Sequence, residues 1–107
     1  MNLVEPMKPP TKKAVIADDH PIFREGLCRI LSRDPQWEIT AEAEDGRSAV
    51  AAVNACKPDV AIFDFDMPQG SGVDASRALG GEDSPTPVVI LTMHNDQDIF
   101  NLSLIHI

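Results

Sequence analysis

Residues 60–72 read VAIFDFDMPQGSG. The apolar run at 60–63 has the length and composition of a strand, and it gives way to Asp64 and Asp66 just before Pro68, Gly70 and Gly72. One acid at the end of a buried strand is an ordinary turn starter. Two acids flanking a single residue in that place point toward a metal or phosphoryl site.

Working outward, the same ending recurs. KAVIA (13–17) is a short apolar strand that leads into Asp18-Asp19-His20-Pro21, and PVVIL (87–91) leads into Thr92. DVAIF (59–63) and PVVIL are continuous apolar runs, the kind buried on both faces of a parallel sheet. Between the strands, Ile22, Phe23, Leu27, Ile30 and Leu31 recur at helical spacing, WEITAEA (37–43) reads as a further strand, and Ala49, Val50, Val53 and Cys56 form a second helical stripe after the turn pair Asp45-Gly46. Alternating strand and helix predicts an open α/β sheet with helices on both sides. In such a sheet the ligand crevice lies beyond the carboxyl ends of the strands. Asp18-Asp19, Asp64 and Thr92, which follow the first, third and fourth predicted strands, are therefore expected to meet.

Carboxylates from Asp18, Asp19, Asp64 and Asp66 crowded at one edge push one another toward protonation unless a cation sits among them. An open, all-oxygen site suits Mg2+, which keeps several waters and leaves room for a phosphoryl oxygen. Plainer readings stand beside this one. Asp18 and Asp19 precede His20-Pro21, where a helix would start, and can complement its dipole; Asp64 can start a turn; Thr92 can be structural. The His20, His94 and His106 spacing fits neither zinc nor a catalytic triad, so these read as solvated or capping residues. Gly70-Ser71-Gly72 reads as a flexible turn into a helix beginning near Val73, and Met67 and Met93 as packing residues.

The 107 residues hold one small domain. A net charge of -8 and a pI near 4.6 argue against this segment gripping nucleic acid or an anionic membrane. There is no apolar run of the ~20 residues a membrane span needs, and MNLVEPMKPPTKK lacks a signal-peptide core, so the expected location is cytoplasmic. Cys28 and Cys56 read as buried reduced thiols. Residues 1–12, with Pro6, Pro9 and Pro10, read as a flexible leader before a domain at 13–101.

AVIADDHPIFREGL (14–27), PDVAIFDFDMPQGSG (58–72) and PVVILTMH (87–94) together resemble the receiver domain of bacterial two-component response regulators. DDHP and LTMH resemble the subfamily whose receivers precede a helix-turn-helix DNA-binding domain. The resemblance implies a doubly wound parallel sheet of flavodoxin-like order 2-1-3-4-5. It also implies phosphorelay signalling, in which a sensor histidine kinase donates a phosphoryl group to Asp64. By the same resemblance Asp19 and Asp64 hold Mg2+, Asp18 acts through its water shell, Asp66 offers its backbone carbonyl, and Thr92 is the hydroxyl that follows the phosphoryl group. The implied role is regulatory, not enzymatic beyond self-dephosphorylation. DNA would be reached only through a C-terminal output domain absent from these residues, no membrane is involved, and the phosphorylated form would be a homodimer.

The chain departs from the resemblance at its far end. A receiver continues through a fifth strand, an active-site lysine and a fifth helix, and no lysine occurs here after Lys57. The expectation is a C-terminally truncated receiver lacking the fifth strand and helix, with strand four as an exposed edge. LSLIHI (102–107) back-translates as CTG TCT CTT ATA CAC ATC, which resembles a transposase end sequence of sequencing-library adapters, so these residues read as a non-native tail. Two other functions fit parts of the sequence. IFDFD also looks like the first motif of haloacid dehalogenase phosphatases, with Asp64 as nucleophile, Asp66 as general acid and Thr92 as the second motif; that reading gives Asp18-Asp19 no role. The other is a stand-alone receiver that docks to partners.

Overall fold

A computed structural model describes residues 12–93 and 102–106, with side chains through Leu91. Apart from Lys12, which opens the first strand, the leader lies outside the described residues. The elements run β1 (Lys12–Ala17), α1 (Pro21–Ser32), β2 (Trp37–Ala43), α2 (Gly46–Cys56), β3 (Val60–Asp64), α3 (Gly72–Ala78), a short 3-10 turn (Gly81–Asp83), β4 (Val88–Met93) and β5 (Leu102–His106).

The sheet order is β2-β1-β3-β4-β5, with β1, β2, β3 and β4 parallel. The chain steps from β1 out to β2 and then returns past β1 to β3. With right-handed crossovers this reversal puts α1 on one face and α2 and α3 on the other. Strand alternation then sorts the side chains: Val15, Ala17, Ala61, Phe63, Val88 and Ile90 face α2 and α3 and form one core with Ala49, Val53, Met67 and Ala75. Met67 is thus a packing residue, as its sequence context predicts. Cys28 and Cys56 are free thiols and only half-buried rather than buried; Cys56 packs against the core from its edge, and no residue of α1 is buried. The α1 stripe is far less covered than its periodicity suggests: none of its residues is buried, and Ile22 and Ile30 are 86% and 61% exposed.

The β1–β2 pairing carries a bulge. Ala14 is opposite Ile39 and Val15 is opposite Ala41, so Thr40 is the extra residue. The Thr40 hydroxyl donates to the Ala14 carbonyl at 3.3 Å.

Two expectations change at the far edge. A fifth strand is present, and β4 is not an open edge. β5 pairs with it antiparallel, from Val89 opposite His106 to Met93 opposite Leu102. The connection from Met93 to Leu102 is shorter than the roughly dozen residues a parallel crossover requires, so a segment that pairs here has to return antiparallel.

Candidate functional site

The order reversal between β1 and β3 opens a crevice at their carboxyl ends, and the predicted acids lie there. Asp64 is the last residue of β3 rather than the first beyond it, and Asp18 directly follows β1. The Asp18 amide donates to the Ala43 carbonyl at 3.0 Å, and its own carbonyl accepts from the Arg24 guanidinium at 2.6 Å. Arg24 also reaches Glu42 at 3.1 Å. These contacts tie the β1 end to β2 and α1 and hold the Asp18 side chain inward, 1% exposed.

Asp18, Asp19, His20 and Asp64 each offer a donor atom within 4.8 Å of the others. Their fit to a cation can be judged from Asp18: one carboxylate oxygen accepts from the His20 amide at 2.7 Å, while Oδ2 is buried with no hydrogen-bond partner. A buried, unsatisfied carboxylate oxygen is costly in isolation and is what a hard cation satisfies. Burial first, and then the Asp18 charge, raise the Asp64 carboxyl to about 6; the Asp66 backbone amide and His20 act in the opposite direction.

The expectation that His20 is solvated or capping holds only in part. It occupies the N-cap position of α1 and its ring is largely exposed, but it makes no side-chain cap bond. Its Nδ1 instead lies 2.9 Å from an Asp19 oxygen, 3.2 Å from Asp18 and 3.8 Å from Asp64. The hydrogen bond to Asp18 and the Asp19 charge raise its pKa. The signal was present in the sequence: Pro21 starts the helix, which leaves His20 no place but the strand end.

Asp66 does not join the group; its side chain is exposed. The phosphatase reading needs that carboxylate as a general acid beside Asp64, and its position gives no support. Thr92 lies within β4, one residue before its end, opposite Ser103; its hydroxyl lies outside the described residues, as do the side chains of Met93, His94 and His106.

The loop from Phe65 to Ser71 turns into α3, with positive φ at Gln69 and Gly70, and is tied to its neighbours by backbone hydrogen bonds. The Phe65 amide donates to Leu91 at 2.8 Å, Gly46 to the Pro68 carbonyl at 3.1 Å and Gly72 to the Phe65 carbonyl at 3.0 Å. Ser71 caps α3 in a reciprocal box with Asp74, at 3.1 and 3.2 Å. A Cβ on Gly46 would stand 2.6 Å from the Gln69 carbonyl oxygen, so the approach of α2 to this loop demands glycine.

The comparisons agree with this geometry. Residues 14–104 match the family described as the response regulator receiver domain. The transcriptional regulatory protein DegU of Brevibacillus brevis is 43% identical over 83 residues, covering 78% of this chain and 35% of DegU. Among solved structures, the signal receiver domain of the response regulator NarL from Mycobacterium tuberculosis is similar with a TM-score of 0.75 and 36% identity, over 85% of this chain and 73% of that one. A complex of the response regulator RcsB with DNA is similar with a TM-score of 0.72 and 26% identity, over 81% and 46%. The chain spans 35% and 43% of the length of the first two curated relatives.

Proposed function

The chain belongs to the response regulator receiver domain family, and from that premise we propose that it is the phosphoacceptor of a phosphorelay, with Asp64 receiving the phosphoryl group from a sensor histidine kinase. The observation that carries this reading is the convergence of Asp18, Asp19 and Asp64 from two strand ends, with Asp18 Oδ2 buried and unpartnered. In the transfer an Asp64 carboxylate oxygen forms the new P–O bond while the P–N bond to the donor imidazole breaks. That imidazole keeps the electron pair and takes up a proton. A carboxyl raised to about 6 is mostly ionised at neutral pH, so Asp64 holds the lone pair this step needs. Asp19 and Asp64, with the Asp66 carbonyl, are the proposed Mg2+ ligands, and Asp18 acts through the ion's water shell. Bound there, the ion supplies positive charge against the phosphoryl oxygens.

The Thr92 hydroxyl is the proposed sensor of the phosphoryl group. We assign transcription control to a DNA-binding output domain outside these residues, in line with the names of the relatives, and place the protein in the cytoplasm as a homodimer when phosphorylated. No described helix is long and apolar enough to cross a membrane. Residues 102–107 are proposed as a non-native tail, although the family match runs through residue 104. Genomic codons for the same six residues would end that proposal.

The function is tested with acetyl phosphate and Mg2+, read by intact mass. One added phosphoryl group is expected on the protein and none on Asp64→Asn. Modification that persists in the variant would overturn the role of Asp64. Steady turnover of a generic phosphate ester would instead favour a phosphatase.

A further inference from the structure

We propose that a cavity at the end of the sheet opposite the acids is a second ligand site, taking a small organic monocarboxylate whose apolar body enters the cavity and whose carboxylate meets Lys57 at its mouth. This inference does not depend on the phosphorelay reading.

Place and size come first. Pro58 and Thr86 stand just before β3 and β4, so the cavity opens at the amino ends of those strands, between the C-terminal ends of α2 and α3. Its volume is about 330 Å³, at the small end of the roughly 300–1,000 Å³ of ligand pockets. That leaves room for one ring or a branched chain and not for a nucleotide. The lining divides in two: Val53, Pro58, Leu79 and Pro85 supply apolar surface, and Asn54, Lys57, Ser84 and Thr86 supply polar groups.

The polar groups are not equally free. The Ser84 hydroxyl donates to the Thr86 carbonyl at 2.8 Å and accepts from the Thr86 amide at 3.1 Å, so it is engaged in holding the loop. Thr86 is only 6% exposed, yet its own hydroxyl has no hydrogen bond to a described residue. Lys57 is exposed and makes no ion pair among the described residues. Asp59, the acid nearest to it in sequence, turns instead to the Lys13 amide at 2.7 Å. One uncommitted cation and one uncommitted hydroxyl beside apolar surface match a single carboxylate. A phosphate dianion calls for more cations, and a neutral apolar molecule leaves both groups unused. The frame is also preformed. The Lys57 amide donates to the Val53 carbonyl at 2.8 Å, and left-handed backbone angles at Lys57 (φ 47°, ψ 60°) end α2 and turn the chain into Pro58. Walls fixed in this way spare a ligand the cost of ordering them.

The test titrates the whole 15N-labelled chain with phenylacetate, with its neutral amide phenylacetamide and with inorganic phosphate, read by amide chemical shifts. Phenylacetate is expected to shift the amides of Val53, Asn54, Lys57, Ser84 and Thr86 saturably and to leave those of Asp18 and Asp64 in place. Phenylacetamide on the wild type, and phenylacetate on Lys57→Met, are each expected to bind about tenfold more weakly, the order of a lost charge-assisted hydrogen bond. No saturable shift at those amides overturns the site. Equal binding of acid and amide overturns the recognition of a carboxylate, and phosphate acting on the same amides as strongly as phenylacetate overturns the role of the apolar surface. The comparison of acid and amide on the wild type decides the matter even if Lys57→Met does not fold.

Discussion

Asp64 combines two demands that conflict. It must be ionised to act as the proposed phosphoacceptor, yet burial and the nearby Asp18 and Asp19 disfavour its charge, raising its carboxyl from 3.8 to about 6. Between those values the folded protein holds a proton that the unfolded chain has lost. Stability therefore falls as pH rises through this window; the penalty is fully present above about 6 and absent below about 3.8. Asp64→Asn is expected to raise Tm on the order of 5 °C near neutral pH, with the gain fading as the pH approaches 4. A Tm gain independent of pH would show that charge is not its source. The three inward acids were legible in the sequence because strand ends and parallel topology together locate them. The place of His20 beside them was signalled by Pro21 at the helix start, but a rule that looks for spaced histidines passes over a single one next to two acids.

Among the elements, the loop after β3 shows how glycine can mean opposite things. Gly46→Ala would drive a methyl group against the Gln69 and Gly70 carbonyls, at a cost of about 1–3 kcal/mol. Gly26, inside α1, has open space where its Cβ would stand, so Gly26→Ala is expected to stabilise by about 0.5–1 kcal/mol. Urea midpoints of the two variants should move in opposite directions; a shift of the same sign would contradict this packing. The sequence separates them only as a turn glycine after Asp45 and a mid-helix glycine; that Gly46 tolerates no Cβ follows from the tertiary approach of α2 to the loop. The Ser71–Asp74 box could have been read, because Ser-x-x-acid is a helix-start signature, but the neighbouring glycines drew the reading toward flexibility.

At the scale of the molecule, the continuous apolar runs predicted an open parallel sheet buried on both faces, while the order β2-β1-β3-β4 came from the family resemblance and matches the observed sheet. Two features were less legible. The α1 periodicity identified an apolar face, but a period cannot say whether anything covers that face; among the described residues α1 lies alone on its side of the sheet. The pairing of β5 is not legible in the codons of the tail; it follows from the backbone groups that an open β4 edge offers. Removing residues 102–107 re-exposes that row of backbone donors and acceptors, and edges of this kind pair with other chains. The shortened protein is expected to scatter light in a concentration-dependent way on warming, at a lower temperature than the parent. An unchanged melting curve and a monomeric shortened protein would show that β5 adds nothing.

The bulge at Thr40 gives the gene a degree of freedom that the rest of β2 lacks. Losing that codon would leave Ile39 opposite Ala14, Ala41 opposite Val15, and the Ala43 carbonyl still beneath the Asp18 amide; only the Thr40 hydroxyl bond to Ala14 would go. Losing Glu42 instead would draw Ala43 one step back along the strand and strip Asp18 of its anchor. The shorter allele without Thr40 should keep a cooperative melt and the one without Glu42 should not, so length variation in this strand has one tolerated address.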